Sequence, residues 1–228
     1  MTVAKWDWGP WVGDGCALDS RGYVIERLFD PSHSWNHQHI PDNSLLYYDY
    51  AAQVCRMTAP DPLELGHFIC DKTTLVVRIS GTCLDNGKTF SRANWDVYFG
   101  PDSPYNNSGP VPRQVLHSLT GAEIEALWKA LELIRFLIEE GKDRAKKFYI
   151  MTNSKYLINT MTVWIHKWVE NGGVTADGMP AMHFAKLNTI LAILNELEHD
   201  FGVQFKFWYA VPNEENGIPD VGNMAIGE

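Results

Sequence analysis

The sequence predicts an α/β fold: a mixed sheet of five strands, three antiparallel and two parallel, flanked by helices and preceded by an irregular, tryptophan-rich arm. Three observations carry this. The run TLVVRIS, Thr74 to Ser80, is a near-continuous β-branched stretch with the make-up of a central strand. Three long segments, beginning near Ala122, Lys155 and Ala185, repeat apolar residues at steps of three and four, the spacing of amphipathic helices. Short apolar runs fall between and after these segments, and strands joined through helices run parallel with right-handed crossovers.

Residues 1 to 70 show no sustained period of 2 or 3.6, and they hold four of the nine tryptophans, Trp6, Trp8, Trp11 and Trp35. They read as an arm packed on a domain that occupies residues 71–228, with its aromatics supplying buried area. Within the arm, HSWNHQH brings His33, His37 and His39 together. No fourth ligand is visible nearby, so these read as surface loop histidines rather than a zinc site.

After the central strand and the turn LDNGK, the segment NWDVYFG alternates Trp95, Val97 and Phe99, which gives a second, antiparallel strand. A polar loop, GPDSPYNNSGPVPR, leads to a third strand expected at Gln114–His117. The first helix runs from Ala122 to about Glu140, with Leu127, Ala130, Leu131, Ile134, Leu137 and Ile138 on one stripe. KKFYIMT is a short buried strand. It feeds a second helix whose Leu157, Met161, Trp164 and Trp168 read as core packing. A glycine-rich loop precedes the third helix, Ala185 to His199. VQFKFWYA then alternates as a strand, and a last short element begins near Asp220.

Composition limits the function classes. An apolar fraction of 45% and 21% charged residues suit a packed globular chain rather than a disordered one. The net charge of −9 repels phosphate backbones on average, so nucleic acid is not the partner expected, and an unknown ligand or protein takes its place. The densest basic run, GKDRAKKF, reads as the solvated end of a helix. Cys16, Cys55, Cys70 and Cys83 form no CxxC pair, which points to reduced thiols. No run approaches the roughly 20 apolar residues of a membrane span, and the start lacks a secretion-signal pattern. An intracellular location, cytoplasmic or nuclear, is expected.

Six ordered motifs carry a resemblance. SGTCLDNG lies at the end of the first strand, and SRANWDVYF forms the second. LTGAEIEALWKAL opens the first helix, and IMTNSKYLIN joins the next strand to its helix. WIHKWVENGG and the terminal ENGIPDVGNMA follow. Together, over roughly Leu75 to Ala225, about two thirds of the chain, they resemble the ribonuclease H family, most closely its fungal variants. The resemblance implies a ribonuclease H-like fold and hydrolysis of the RNA strand of an RNA/DNA hybrid by two magnesium ions held between four carboxylates. Two hard cations about 4 Å apart need several converging anions.

Carried over by motif, the four positions are Ser80, Glu123, Asn153 and Asp220, and only two of them are acids. Each missing carboxylate removes several kcal/mol of attraction for a metal even at an effective dielectric near 20. Glu123 and Asp220 remain as metal ligands of weak affinity at most. No cofactor is expected, with magnesium needed only for residual nuclease activity. The histidine that the family places before its last acid has no counterpart in YAVPNEENGIP, and Thr120, Gly121, Asn94, Asp96, Met182 and His183 depart from family residues as well.

Each survivor also has a structural explanation. Thr120 and Glu123 have capping-box spacing, Asn153 and Ser154 are good helix N-caps, and Asp220 can cap the final element. Three functions follow from these residues. A degenerate site suits a pseudoenzyme that binds a ligand or partner; Glu123 and Asp220 suit acid–base chemistry on a small molecule in the vacated cleft; and a single metal, with help from Asp85 or Glu125, would sustain residual cleavage of RNA/DNA hybrids.

Overall fold

The computed structural model describes residues 11–12, 15–19, 21–84, 91–114 and 117–210. A small antiparallel pair, β1 (Trp11–Val12) and β2 (Cys16–Ala17), comes first. β3 (Leu28–Phe29), β4 (Leu46–Asp49), β5 (Val54–Pro60) and β6 (Phe68–Cys70) follow. Next come β7 (Thr74–Leu84), β8 (Arg92–Tyr98), β9 (Asn107–Pro110) and α1 (Leu119–Glu139). The chain continues through β10 (Lys147–Thr152), α2 (Lys155–Asn159), a π-helical turn at Thr160–Trp164, and α3 (Ile165–Glu170). It then forms α4 (Phe184–Phe201) and β11 (Gln204–Tyr209).

β7 is the hub. β10 runs parallel to its first half, from Lys147 opposite Thr74 to Met151 opposite Arg78, and β11 runs parallel to β10. β8 pairs antiparallel with its second half, from Arg78 opposite Tyr98 to Leu84 opposite Arg92, and β9 lies beyond β8. The order β9-β8-β7-β10-β11 is the mixed five-strand core that the sequence predicts. Its third strand is displaced: Asn107–Pro110 forms it, inside the stretch read as a polar loop, whereas Gln114 lies in a turn and residues 115 and 116 fall outside the described set. Asn106 explains the placement, since its amide accepts from Phe99 N–H (2.7 Å) and donates to the Gly100 carbonyl (2.7 Å), folding the loop back as an antiparallel return.

The N-terminal segment departs from the irregular arm expected. β5 continues the line of β8 end to end along β7: Cys55 stands opposite Val76, and its N–H donates to the Phe99 carbonyl at 2.6 Å. β4 and β6 each pair with β5, and β3 adds in parallel to β11 at the far edge. Among the described residues the sheet therefore has nine strands rather than five. These added strands are short and carry Arg, Asp and Pro, so an edge already in place supplies the pairing that their composition does not announce.

Alternation along β7 divides the core. Leu75, Val77 and Ile79 join the cluster under α1 and α4, while Val76 faces the opposite layer with Tyr149 and Met151. Residues of the N-terminal segment, Phe29, Ile40, Leu45, Leu46 and Tyr48, cover that second layer. Trp35, in contrast, is 76% exposed, and Trp6 and Trp8 lie outside the described residues. His37, expected at the surface, is buried against the Phe29 ring and bonded to Ser34 Oγ (2.8 Å). In the second helical stripe Leu157, Met161 and Trp168 are buried, but Trp164 is partly exposed. No helix among the described residues is long and apolar enough to cross a membrane.

Arg56, buried on β5, fastens the N-terminal segment. Its Nε donates to Asp49 (2.8 Å), Nη2 to Asp143 after α1 (2.7 Å), and Nη1 to the Thr74 carbonyl (2.7 Å). Burial works to raise the Asp49 carboxyl, but the bond from Arg56 and the Ala52 N–H outweigh it and hold it below its ordinary value. Removing one member of such a set strands the other charges in the interior.

Two expectations follow. Arg56→Met lowers the free energy of unfolding by about 3–5 kcal/mol in a urea titration, because two buried carboxylates lose their cation. The Asp49 contribution is complete above the ordinary aspartate range and is lost as pH falls through the depressed folded value. Acid-induced loss of stability should therefore be steeper in the wild type than in Asp49→Asn.

Candidate functional site

Three of the four motif positions converge where β7 crosses the start of α1. A Cβ added to Gly81 would lie 2.7 Å from the Glu123 backbone nitrogen and 2.8 Å from the Ala122 Cβ, so only glycine lets the strand and the helix approach this closely. Gly81 thus sets Ser80 beside the first turn of α1. Asn153 reaches the same place from the end of β10, which runs parallel to β7.

Ser80 and Asn153 line one cavity of about 220 Å³ with Arg78, Thr152, Met151 and Ala210. Asn153 is exposed and Ser80 half-buried. Glu123 is not on that lining. It is buried, and its Oε2 accepts a 2.6 Å bond from Ser154 Oγ. Burial pushes the Glu123 carboxyl above its ordinary value, and the Ser154 bond only partly opposes this. Asp220 and Asp85 lie outside the described residues. Glu125, also buried, is paired with Lys186, whose ammonium sits over the Trp128 ring.

The capping explanations divide. Ser154 is the N-cap of α2, accepting from Leu157 N–H (3.2 Å), as its residue type suggests. The capping box at Thr120 and Glu123 does not form. Ser118 caps α1 by accepting from Gly121 N–H (3.0 Å), so the helix starts at Leu119, and the Glu123 carboxyl turns to Ser154 instead.

Two residues of this neighbourhood stand out only in three dimensions. Arg78 lies two residues before Ser80, on the same face of β7, with its guanidinium 4.8 Å from the Tyr98 ring centroid. The signal was a lone charge inside an otherwise apolar strand. Asp96 stands directly across from Ser80 on β8, where burial raises its carboxyl and the charge of Arg78 partly offsets that. A larger cavity, of about 1110 Å³, opens among residues of the N-terminal segment, α3, α4 and β11; none of the three described motif positions lines it.

A paired-magnesium centre at this place would need several converging anions. The described members offer one carboxylate, Glu123, already engaged by Ser154, together with two neutral side chains and a nearby guanidinium. That set does not fit such a centre.

No family model matches the chain. Among curated proteins it is 33% identical over 104 residues to ribonuclease H1 of Homo sapiens, covering 46% of this chain and 34% of that protein. It is 30% identical over 145 residues to ribonuclease H1 of Mus musculus, covering 64% and 46%. The chain thus spans between a third and a half of the length of these relatives. A solved structure of LC11-RNase H1 in complex with RNA/DNA hybrid is similar at a TM-score of 0.39 and 16% identity, over 62% of this chain and 87% of that one. The expectation from net charge that nucleic acid is not a partner is corrected: the sequence relatives are named as ribonucleases. Physically, net charge averages over a whole surface, whereas a duplex meets only one face of it. The sheet order, the ordered motifs and the sequence relatives support one reading: the chain carries a domain similar to those of the ribonuclease H family.

Proposed function

We propose that this domain binds a ligand at the altered end of β7 and β10 without running efficient two-metal hydrolysis. The observation that carries the reading is the shared cavity of Ser80 and Asn153, in which the lining that the family resemblance expects to be anionic is neutral and has Arg78 beside it. A fixed positive charge opposes a divalent cation at the place where carboxylates would attract one. The family resemblance, with relatives named ribonuclease H1, makes an RNA/DNA hybrid the first ligand to test.

With magnesium present, the purified chain is expected to retain a labelled hybrid in a binding assay while releasing no product above a protein-free control. Turnover that scales with protein and disappears in Glu123→Gln overturns the reading. The double variant Ser80→Asp, Asn153→Asp restores two carboxylates, and calorimetry should then detect magnesium binding that the wild type lacks.

A second reading rests on Glu123, whose raised carboxyl suits a general acid on a small molecule. Ser154→Ala removes the one bond that favours its charged form, so the Glu123 titration followed by NMR should move further upward. The same variant loses about 1–3 kcal/mol of stability, because the buried carboxylate and the α2 N-cap both lose a partner. With its folded value above the ordinary glutamate range, the Glu123 contribution to stability is fully present below that range and is lost as pH rises through the folded value. The rise in stability on mild acidification should be missing in Glu123→Gln.

A further inference from the structure

The cavity between β7 and β10 combines one strong cation with neutral hydrogen-bonding groups. Among the described residues Arg78 makes no ion pair at bonding distance; its guanidinium lies over the Tyr98 ring, and its charge acts on the Asp96 carboxyl across from Ser80. Stacking on a ring fixes the plane of the guanidinium and leaves its N–H groups free to point elsewhere. Ser80 and Asn153 add a hydroxyl and an amide, both able to donate. Thr152 is buried, and its Oγ1 accepts from Ser154 N–H (3.1 Å), which leaves the hydroxyl proton to be donated to something else. Met151 and Ala210 close the remainder with apolar surface, lowering the local dielectric in which that charge acts. Asp96, across from Ser80, is not on the lining.

Donors therefore outnumber acceptors around a space of about 220 Å³, small for a drug-sized ligand and ample for a tetrahedral oxyanion. We propose that this cavity is an anion pocket that takes a phosphate group, with Arg78 as its principal ligand and Ser80, Thr152 and Asn153 as hydrogen-bond donors. The chemistry matches: a planar fork of N–H groups binds two phosphate oxygens side by side, and neutral hydroxyl and amide donors satisfy the others without adding repulsion. The polarity at this point of the fold would then be inverted, with an anion held where the family resemblance implies cations. The inference rests on the binding function proposed above and names the chemistry of what that site holds.

The test follows thermal unfolding and calorimetry of the full chain with inorganic phosphate, against chloride at the same ionic strength. Phosphate is expected to raise Tm in a saturable way that chloride does not reproduce. Arg78→Gln should weaken phosphate binding by about tenfold or more. Arg78→Lys, which keeps the charge but not the fork, should weaken it less. Ser80→Asp leaves Arg78 in place and gives it an internal carboxylate, so it should also lose the phosphate effect while melting cooperatively. This guards against an Arg78 variant that merely unfolds.

A phosphate response no larger than that of chloride, or one undiminished in both Arg78→Gln and Ser80→Asp, overturns the pocket. A saturable response to magnesium alone that strengthens in Arg78→Gln overturns it too. Competition between hybrid and phosphate identifies the phosphate as one of a nucleic-acid backbone, and its absence identifies a small phosphorylated molecule; either agrees with the pocket. The two proposals fail separately. Hybrid cleavage by the wild type sinks the non-hydrolytic reading whatever phosphate does, and phosphate indifference with intact hybrid sinks only the pocket.

Discussion

The close approach of β7 to the first turn of α1 is the constraint on which the rest of the site depends. With no Cβ at Gly81, the strand and the Glu123 backbone nitrogen share a space that any side chain would fill. That approach fixes three things at once: the face on which Arg78 and Ser80 stand, the depth at which Glu123 is buried, and the line along which β10 delivers Asn153 and Ser154. Moving the helix outward would disturb all three together.

Electrostatics then follows from desolvation rather than from ion pairing. Glu123 and Asp96 both rise above their ordinary range because burial disfavours their charged forms, and neither has a cation within salt-bridge reach among the described residues. Arg56 shows the contrasting solution. It is more deeply buried than Arg78, yet two carboxylates and a backbone carbonyl satisfy it, and the result is a fastener rather than a binding group. The two arginines differ less in chemistry than in what surrounds their N–H groups.

The five-strand core, its helices and their order were legible because period and composition agree in each of those segments. TLVVRIS could only be a central strand, and the stripes of α1 and α4 fall on the buried positions. The strands of the N-terminal segment were not legible, since Leu46–Asp49 and Val54–Pro60 owe their conformation to an edge supplied by residues far along the chain. The same holds for β9, which Asn106 folds back through two bonds that no periodicity reveals. Of the site, the convergence of Ser80, Asn153 and Glu123 was legible through motifs, and Ser154 as a cap through its residue type. The turning of Glu123 toward Ser154 was not, because capping-box spacing gave an adequate local account. Arg78 was missed because it sat inside a run read entirely for its apolar neighbours.

The end-to-end placement of β5 and β8 along one side of β7 has a further consequence. Each half of the central strand takes its hydrogen bonds from a different stretch of chain, one early and one immediately following. A fragment cut to begin at residue 71 would expose the flank beside Val76 and uncover Tyr149 and Met151. Such a truncated polypeptide would present a sticky ribbon to its own copies, and self-association in the test tube would then report the site of the cut rather than any natural oligomer.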